Sequence, residues 1–278
     1  MLEKVEDIQA FLTAIKENSE YDFSGYSINS LKRRIIKILI THSMEYGEMV
    51  EKIRMDPDFK EEVVKKITVN TTDFFRDAEL WIYLRENIIP LFSRQKRISV
   101  WHPGCSTGQE VYSLMILLNE MRLLKKTDIF ASDLNVDVLE TARNGVYEFL
   151  FSKEYLTNFD KVLNHEESKR KVKHEKYFKT DLNQKKVMMN SFLRKKPVYS
   201  RMNLVNDKNP FNRKFDIIFC RNVIIYFNDV LQNGVLDLLY RNMNDKSCLV
   251  LGKHESIIGE YESRFIKKDF VYFRNTFR

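Results

Sequence analysis

A stretch predicted to form a strand, a glycine turn and a helix has the clearest potential for chemistry. Its apolar run, 98–101, is followed by Pro103 and Gly104, and Gly108 precedes an apolar-periodic segment. Because the chain has only eight glycines, two of them within five residues indicate backbone that lies close to another group. Such a turn directs backbone N–H groups and a helix N-terminus towards one point, which favours a nucleotide-like ligand. A plain structural turn is the alternative.

The charge beside this turn favours a cationic ligand over a phosphate. The stretch contains neither Gly-x-Gly-x-x-Gly nor a phosphate loop that ends in Gly-Lys-Ser/Thr. Glu110, at the start of the predicted helix, would repel a pyrophosphate and attract a positive group. S-adenosylmethionine carries an ammonium and a sulfonium but no phosphate, so we expect a cofactor of that type.

Two further predicted strands end in polar side chains. Asp133 closes one of them, where a carboxylate commonly accepts hydrogen bonds from the ribose hydroxyls of a nucleoside. Arg221 and Asn222 follow the other, and Tyr226 lies one turn later. An Arg-Asn pair can also cap a helix. Because the carboxyl ends of parallel strands meet at one edge of a sheet, the three features together predict a nucleoside site.

Alternating strands and helices from about residue 96 would position these groups. Such βα units imply a largely parallel sheet with helices on both faces. The chain before them, 1–85, spaces its apolar residues three and four apart and is predicted to be helical. The tail is predicted to close the sheet with a hairpin through 267–269. The predicted strands are 98–101, 128–133, 215–220 and 247–252, and the predicted helices between them are 110–121, 136–144 and 229–240.

Positive charge is concentrated in one segment. The chain has a net charge of +7, and residues 151–201 contain fourteen Lys/Arg and six Asp/Glu, a net charge of +8. Three short strands are predicted here, at 177–180, 185–189 and 197–201, and indicate a small inserted β subdomain at about 160–202. This segment is suited to an acidic neighbour.

Composition excludes several functional classes. No apolar run approaches the roughly 18 residues of a membrane span, and the N-terminus lacks the features of a signal peptide, so we expect a cytoplasmic protein without membrane insertion. Three distant cysteines argue against a disulfide framework, and Cys105 is expected to be a small buried thiol. The five histidines form no His/Cys pair at ligand spacing, so no metal site is predicted. Gly-x-Ser-x-Gly, the hydrolase elbow, is absent.

Taken together, the motifs resemble one family, the bacterial chemoreceptor glutamate methyltransferases (the CheR family). The similarity extends over nearly the whole chain, and its motifs occur in the family's order. They are Asn70-Thr-Thr-Asp-Phe-Phe-Arg76, Gly104-Cys-Ser-Thr-Gly-Gln-Glu110, Ala131-Ser-Asp133, Asn203-Leu204 and Phe219-Cys-Arg-Asn-Val-Ile-Ile-Tyr-Phe227.

The resemblance implies both a fold and an activity. The fold is α/β: a Rossmann-like S-adenosylmethionine-dependent methyltransferase sheet in 86–278, an N-terminal helical domain in 1–85, and a small antiparallel β subdomain inserted at about 160–202. The activity is methyl esterification of glutamate side chains on the cytoplasmic helices of chemoreceptors, with S-adenosylhomocysteine as the by-product. A monomer is expected.

The resemblance also implies roles for individual residues. Arg76 and Tyr226 would flank the transferred methyl group and act in catalysis. Glu110 would face the amino group of the cofactor, and Asp133 would bind its ribose. Thr72 and Arg76 match positions at the methionine end, and Asn203 with Leu204 matches the adenine neighbours. The implied cofactor-binding residues are Asn70, Thr72, Arg76, Glu110, Asp133, Asn203, Leu204, Arg221 and Asn222.

The chain departs from the family pattern at two places. After the second glycine, Glu-Glu-Pro is replaced by Gln109-Glu-Val111, which keeps Glu110. The late Gly-His-Ser-Glu pattern is replaced by Gly252-Lys-His-Glu-Ser256, so no role is assigned to His254.

Two other functions and two uses of the basic segment stay open. The segment could contact the phosphates of a nucleic acid, although the Asn/Asp-Pro-Pro-aromatic signature of base methylation is missing. A non-catalytic S-adenosylmethionine-binding module is the other alternative, against which the intact motif residues argue. In a receptor methyltransferase, the β subdomain could pair with a receptor tail as an added strand, or only steer the enzyme towards an acidic receptor surface.

Overall fold

The computed structural model describes residues 5–68, 72–148, 152–164, 171–181 and 183–276. The chain divides into two compact units, Met1–Val69 with Val223–Gly234, and Asn70–Asn222 with Val235–Arg278. The domain limits predicted at 1–85 and 86–278 stay a prediction, because compactness alone does not show which segment folds independently. No helix in the described part of the chain combines the length and the apolar character that crossing a membrane requires.

The first unit contains the predicted helices. Their apolar residues recur at spacings of three and four and form one core, which includes Phe11, Ile35 and Ile53. The third helix ends before Asp56, which then caps the fourth. The Oδ1 of Asp56 accepts from the backbone N–H groups of Asp58 and Phe59, each at 3.0 Å. The helices are α1 Val5–Asn18, α2 Ile28–His42, α3 Tyr46–Met55 and α4 Pro57–Ile67.

A segment from late in the chain also belongs to this unit. Ser27 N donates to the carbonyl of Tyr226 at 2.8 Å, and Asn228 N donates to the carbonyl of Gly25 at 2.8 Å. A Cβ at Gly25 would lie 2.8 Å from Cδ2 of Leu231, so this glycine permits the close approach. Tyr226 is thereby fixed against the turn that precedes α2.

The second unit is built around a seven-stranded sheet in the order β6-β2-β1-β7-β8-β10-β9. The first five strands are parallel, and β9 and β10 form the predicted closing hairpin. The strand order reverses beside β1, and ligands bind at such a switch point in open α/β sheets. The strands are β1 Ile98–Pro103, β2 Thr127–Asp133, β6 Val198–Arg201, β7 Phe215–Cys220, β8 Met243–Leu251, β9 Phe265–Lys268 and β10 Val271–Arg274.

The α/β prediction is confirmed in its order and in most of its bounds. β8 begins four residues before the predicted start, at Met243 instead of Ser247. Strands β1 and β7 are buried at every position, as expected for the centre of a parallel sheet. The remaining helices are α5 Ala78–Tyr83, α6 Gln109–Glu120, α7 Val136–Asn144, α8 Ser152–Leu163, α9 Ser191–Arg194 and α10 Asp229–Arg241.

The basic segment contributes two strands to a second, three-stranded antiparallel sheet, in the order β3-β5-β4. Two of its strands were predicted, β4 Phe178–Asp181 and β5 Lys186–Met189. The assignment of 197–201 to this sheet is wrong, because these residues form β6 and pair with β2 at the edge of the large sheet. The third strand is β3 Val146–Glu148, whose three residues are too few for periodicity to reveal.

Candidate active site

The glycine turn after β1 is fastened to the end of β2. The backbone N–H groups of Gly104 and Cys105 donate to the carbonyl of Ser132 at 2.7 and 3.0 Å. Gly104, Ser106 and Gly108 have positive φ angles of 71°, 50° and 88°, which places this turn in the left-handed region. The turn therefore has one defined conformation at the carboxyl edge of the sheet.

Gly108 has a packing role in addition to its φ angle. A Cβ at this position would lie 2.8 Å from Cβ of Ala142 and 3.2 Å from its Cα. The close approach indicated by this glycine is therefore to helix α7. Its absent side chain allows α6 and α7 to meet behind the turn.

Asp133 closes β2 directly beside the turn. Its Oδ2 accepts from the backbone N–H of Ser106 at 2.8 Å, and its Oδ1 accepts from that of Asn135 at 3.0 Å. Burial raises the pKa of Asp133, although these backbone hydrogen bonds oppose the rise. Each carboxylate oxygen has a second lone pair that can accept from a hydroxyl.

Asn203 and Leu204 reach the same edge because β6 belongs to the large sheet. Arg201, the last residue of β6, is paired with Asp133, and Met202 N donates to the carbonyl of Asp133 at 2.9 Å. The Oδ1 of Asn203 accepts from Val205 N at 3.0 Å and holds the following turn. The corrected position of 197–201 thus places the predicted adenine neighbours next to the predicted ribose ligand.

Glu110 faces a buried cation. Arg221 follows the end of β7, its side chain is 2 % exposed, and its Nη1 donates to Oε2 of Glu110 at 2.7 Å. Its Nη2 donates to Oδ2 of Asp77 at 2.5 Å and to the carbonyl of Arg76 at 3.3 Å. One guanidinium therefore links the first turn of α6 to the Phe74-Phe-Arg76 stretch.

His102 lies on the other side of Glu110. Its Nδ1 is 3.2 Å from Oε1 of Glu110, and because an ionised carboxylate only accepts, this nitrogen carries the proton. Burial acts to raise the pKa of Glu110, but the charge of Arg221 and the His102 hydrogen bond outweigh it, so the pKa is lowered. Glu110 is therefore a pre-oriented anion.

The backbone around Arg76 is held from three sides. Phe75 N donates to Oγ of Ser113 at 2.9 Å, and Trp81 Nε1 donates to the carbonyl of Arg76 at 3.0 Å, which also accepts from Arg221. Phe75 and Asp77 have positive φ angles of 50° and 60°, a strained pattern that such contacts maintain. Within the described residues, the Arg76 guanidinium forms no ion pair or hydrogen bond.

Of the two predicted residues Thr72 and Asn70, the structure describes Thr72. Thr72 is partly buried, two residues before the buried side chain of Phe74. Asn70 lies outside the described residues, so its predicted contact with the cofactor stays a prediction.

Two family models match most of this chain. The model of the CheR methyltransferase SAM-binding domain matches residues 70–270, and that of the CheR methyltransferase all-alpha domain matches residues 6–68. The Pseudomonas putida protein Cher3 is 33 % identical over 261 residues, which cover 93 % of this chain and 92 % of that protein. A chemotaxis protein methyltransferase of Borreliella burgdorferi is 32 % identical over 215 residues, 74 % of this chain and 71 % of that protein.

The chain belongs to the CheR methyltransferase family. It is an S-adenosylmethionine-dependent methyltransferase, as the sequence resemblance implied. Among solved structures, the plantazolicin methyltransferase BpumL aligns over 80 % of this chain and 60 % of that chain, with 13 % identity and a TM-score of 0.38, a similarity too low to bear on function.

The site of this CheR-family chain is compatible with its cofactor. The buried Oγ of Ser106, in the glycine turn, has no hydrogen-bond partner among the described residues. Ser106 also donates its backbone N–H to Asp133, so the hydroxyl and the carboxylate belong to one turn. A buried polar atom without a partner is unfavourable, and a bound nucleoside would supply one.

Three residues of the CheR site were not predicted. Asp77 contacts Arg221, and His102 contacts Glu110. The third residue is Glu255, whose Oε2 accepts from Asn222 N at 2.7 Å and from Gly252 N at 2.6 Å. The altered Gly252-Lys-His-Glu-Ser256 pattern, which contains Glu255, was the feature of the sequence that could have indicated it. Its glutamate is buried and ties β7 to β8, whereas His254 is exposed.

Tyr226 belongs to the first unit, whereas the site residues described above belong to the second. There the guanidinium carbon of Arg34 is 4.4 Å from the centroid of its ring, and Arg34 also donates to the carbonyl of Ile67. The predicted position of Tyr226 beside the transferred methyl group stays a prediction.

The cysteines are buried thiols, as expected for Cys105. Cys105, Cys220 and Cys248 are unpaired and at most 3 % exposed. Burial raises the pKa of each thiol, so little thiolate is present at neutral pH. A thiol nucleophile at this site is therefore unsupported.

Proposed function

We propose that this chain methylates glutamate side chains on the cytoplasmic helices of chemoreceptors and acts in the cytoplasm, in chemotactic adaptation. The observation that carries the proposal is Arg76, whose backbone is fixed by Trp81 and Arg221 while its guanidinium has no partner among the described residues. An arginine held in this way is suited to bind a substrate carboxylate. The printed names of two relatives, from Borreliella burgdorferi and Listeria innocua, are chemotaxis protein methyltransferase.

The chemistry requires positioning and no general base. A glutamate carboxylate has an ordinary pKa of about 4.3 and is already ionised at neutral pH. S-adenosylmethionine, when bound, supplies a methyl group on a sulfonium, which a carboxylate oxygen can attack directly. In this proposal Arg76 and Tyr226 orient that oxygen in line with the methyl group, and the reaction also requires that water be excluded from the reacting atoms.

The remaining residues bind the cofactor. Glu110 receives the ammonium group, and Arg221 acts through Glu110 by fixing its orientation and compensating its charge. Asp133 accepts from the ribose hydroxyls, and Asn203 and Leu204 border the adenine. Asn70, Thr72 and Asn222 complete the proposed contacts.

We propose that the β subdomain adds a receptor tail as a further strand. The order β3-β5-β4 places β4 Phe178–Asp181 at an edge of the small sheet. Three of the four residues of β4 are exposed, which leaves a backbone edge for a partner strand. Replacing Thr180, which lies on this strand, with proline removes a backbone donor and would weaken tail binding. Binding of a tail peptide to Thr180→Pro at wild-type affinity would contradict this use of the sheet.

The first experiment identifies the bond that the enzyme makes. The chain is incubated with methyl-labelled S-adenosylmethionine and a purified receptor signalling domain, and the product is treated with mild alkali. Release of the label as methanol is expected, because carboxyl methyl esters hydrolyse under these conditions. Alkali-stable label would instead indicate N-methylation and would revive the nucleic-acid alternative for the basic segment.

Arg76→Ala provides the matched variant for this assay. Its methylation rate is expected to fall by about a hundredfold or more, since a charge-assisted contact to the reacting carboxylate is lost. S-adenosylhomocysteine binding by Arg76→Ala shows whether the pocket is intact. Full activity of the variant would contradict the proposal that Arg76 binds the substrate carboxylate.

A further inference from the structure

A second pocket lies at the other edge of the large sheet. Its volume is about 500 Å³, and it is lined from the end of α10, the start of β8, the turn before β9 and the end of β10. β8 has nine residues, so its amino end, Met243, is about 25 Å from Leu251, which is paired with Cys220 at the candidate active site. The pocket is therefore separate from the cofactor site.

Positive charge converges on this pocket. The guanidinium carbons of Arg264 and Arg274 lie 5.4 and 4.5 Å from the centroid of the Tyr240 ring. Because both cations share this ring, they are within about 10 Å of each other and repel. Lys246 adds a third positive side chain to the lining.

The acidic residue among those that line the pocket does little to offset these cations. Asp245 borders the pocket, but its side chain is 84 % exposed and its oxygen is 3.8 Å from Arg274 Nη1. In the part of the chain that the structure describes, Lys246 and Arg264 form no ion pair. Arg274 is only 17 % exposed and donates to the carbonyl of Met243, so its guanidinium is fixed at the pocket wall.

We propose that this pocket binds a diphosphate group, either free or as part of a nucleoside diphosphate. The planar fork of arginine matches phosphate oxygens, and an oxyanion between Arg264 and Arg274 relieves their repulsion. The volume is within the range of small-molecule pockets and accommodates a diphosphate or a mononucleotide. The Tyr240 ring helps to position both guanidiniums and, because it is neutral, does not compensate their charge.

Calorimetric titration of the full chain with pyrophosphate tests the site. The protein is first saturated with S-adenosylhomocysteine, so that no added nucleotide enters the cofactor site. Arg264→Gln is expected to weaken pyrophosphate binding by about tenfold or more, and Lys246→Gln by about three- to fivefold. Lys268→Gln, which removes an exposed lysine of β9 that does not line the pocket, should change it by less than about twofold.

Comparing pyrophosphate with adenosine diphosphate shows which of the two ligands the pocket favours, and some results would contradict the proposal. Binding of adenosine diphosphate about tenfold tighter than pyrophosphate, with the same loss in Arg264→Gln, assigns the pocket to a nucleoside diphosphate. Equal binding assigns it to the free diphosphate. The proposal fails if pyrophosphate produces no heat, or if Lys246→Gln and Arg264→Gln bind it as the wild type does. Lys246 is exposed, so Lys246→Gln remains informative even if Arg264→Gln is unstable.

Discussion

Asp133, which is buried, and Glu110, whose side chain is 14 % exposed, lie at the same edge of one sheet, yet their pKa values are displaced in opposite directions. Among the described residues, the Asp133 carboxylate accepts hydrogen bonds from backbone N–H groups alone, and burial raises its pKa. Glu110 faces Arg221 and His102, and its pKa is lowered. Burial alone therefore does not set the charge of a site, because the groups that face each oxygen decide it.

The difference corresponds to the two ends of the proposed cofactor. Ribose hydroxyls are neutral donors, and backbone dipoles are enough to orient the carboxylate that accepts from them. An ammonium group needs an anion that stays ionised out of water, and this requires a compensating cation such as Arg221.

Removing Arg221 should abolish the difference between the two carboxylates. Arg221→Met leaves Glu110, 14 % exposed, and Asp77, 32 % exposed, without the buried cation that they share. We expect the free energy of unfolding to fall by about 3 kcal/mol or more and methylation to fall by about a thousandfold. Urea denaturation and the methyl-transfer assay measure the two effects. Arg213→Met, at a 41 % exposed arginine, is the control and should behave nearly as wild type.

Separate removal of the two carboxylate charges should affect different parts of the cofactor. Glu110→Gln is expected to weaken S-adenosylmethionine binding by about 10- to 100-fold but to leave methylthioadenosine, which lacks the ammonium, within about twofold. Asp133→Asn should weaken both ligands by about tenfold, since both contain the ribose. Calorimetry measures the four affinities. Equal losses of both ligands in Glu110→Gln would show that Glu110 does not contact the ammonium.

His102 supplies a smaller share of the orientation of Glu110. In the structure, the rings of His102 and Phe219 stack with their centroids 4.6 Å apart. His102→Phe keeps an aromatic ring for this stacking but removes the hydrogen-bond donor to Oε1 of Glu110. S-adenosylmethionine binding should weaken by about fivefold and methylthioadenosine binding should be unchanged. His254→Gln, at an exposed histidine, is the control. Unchanged binding in His102→Phe would assign the whole effect to Arg221.

The smallest expected effect is on the pH dependence of stability, where Glu110 and Asp133 should contribute with opposite signs. The pKa of Glu110 is below its usual 4.5, so its ionisation stabilises the fold above that pH and this contribution is lost as the pH falls. The pKa of Asp133 is above its usual 3.8, so its ionisation destabilises the fold as the pH rises through the folded value. Relative to wild type, Glu110→Gln should therefore be most destabilised near neutral pH, and Asp133→Asn least destabilised there.

Urea denaturation without cofactor, between about pH 3 and pH 7, measures both slopes. A common sign for the two variants would mean that Arg221 and His102 do not outweigh the burial of Glu110. Glu110 and Asp133 would then differ in their positions in the site but not in the direction of their pKa shifts.

Much of the site could be predicted because its signals are local. A strand, a glycine turn and the first turn of a helix are contiguous in sequence, so Gly104, Glu110 and Asp133 could be assigned to the ends of elements from periodicity and polarity. The resemblance to the CheR family added Arg76, Asn203 and Leu204, whose roles have no signature in their own residue types.

The misassigned strand shows where such signals stop. Residues 197–201 have the composition of a strand, but composition does not specify the neighbour. Pairing with β2 depends on backbone that lies about 70 residues earlier, and it is this pairing that takes Asn203 and Leu204 to Asp133. The buried contact of Asp77 with Arg221, 144 residues away, had no sequence signal either.

The order of strands and helices, the glycine turn and the carboxylates at strand ends could be predicted, since each depends on residues a few positions apart. The place of β6 in the large sheet, the sharing of Arg221 between Glu110 and Asp77, and the meeting of two arginines at Tyr240 depend on tertiary packing. The physical reason is that burial and charge compensation depend on all groups within a few ångströms, and distant parts of the chain supply most of them.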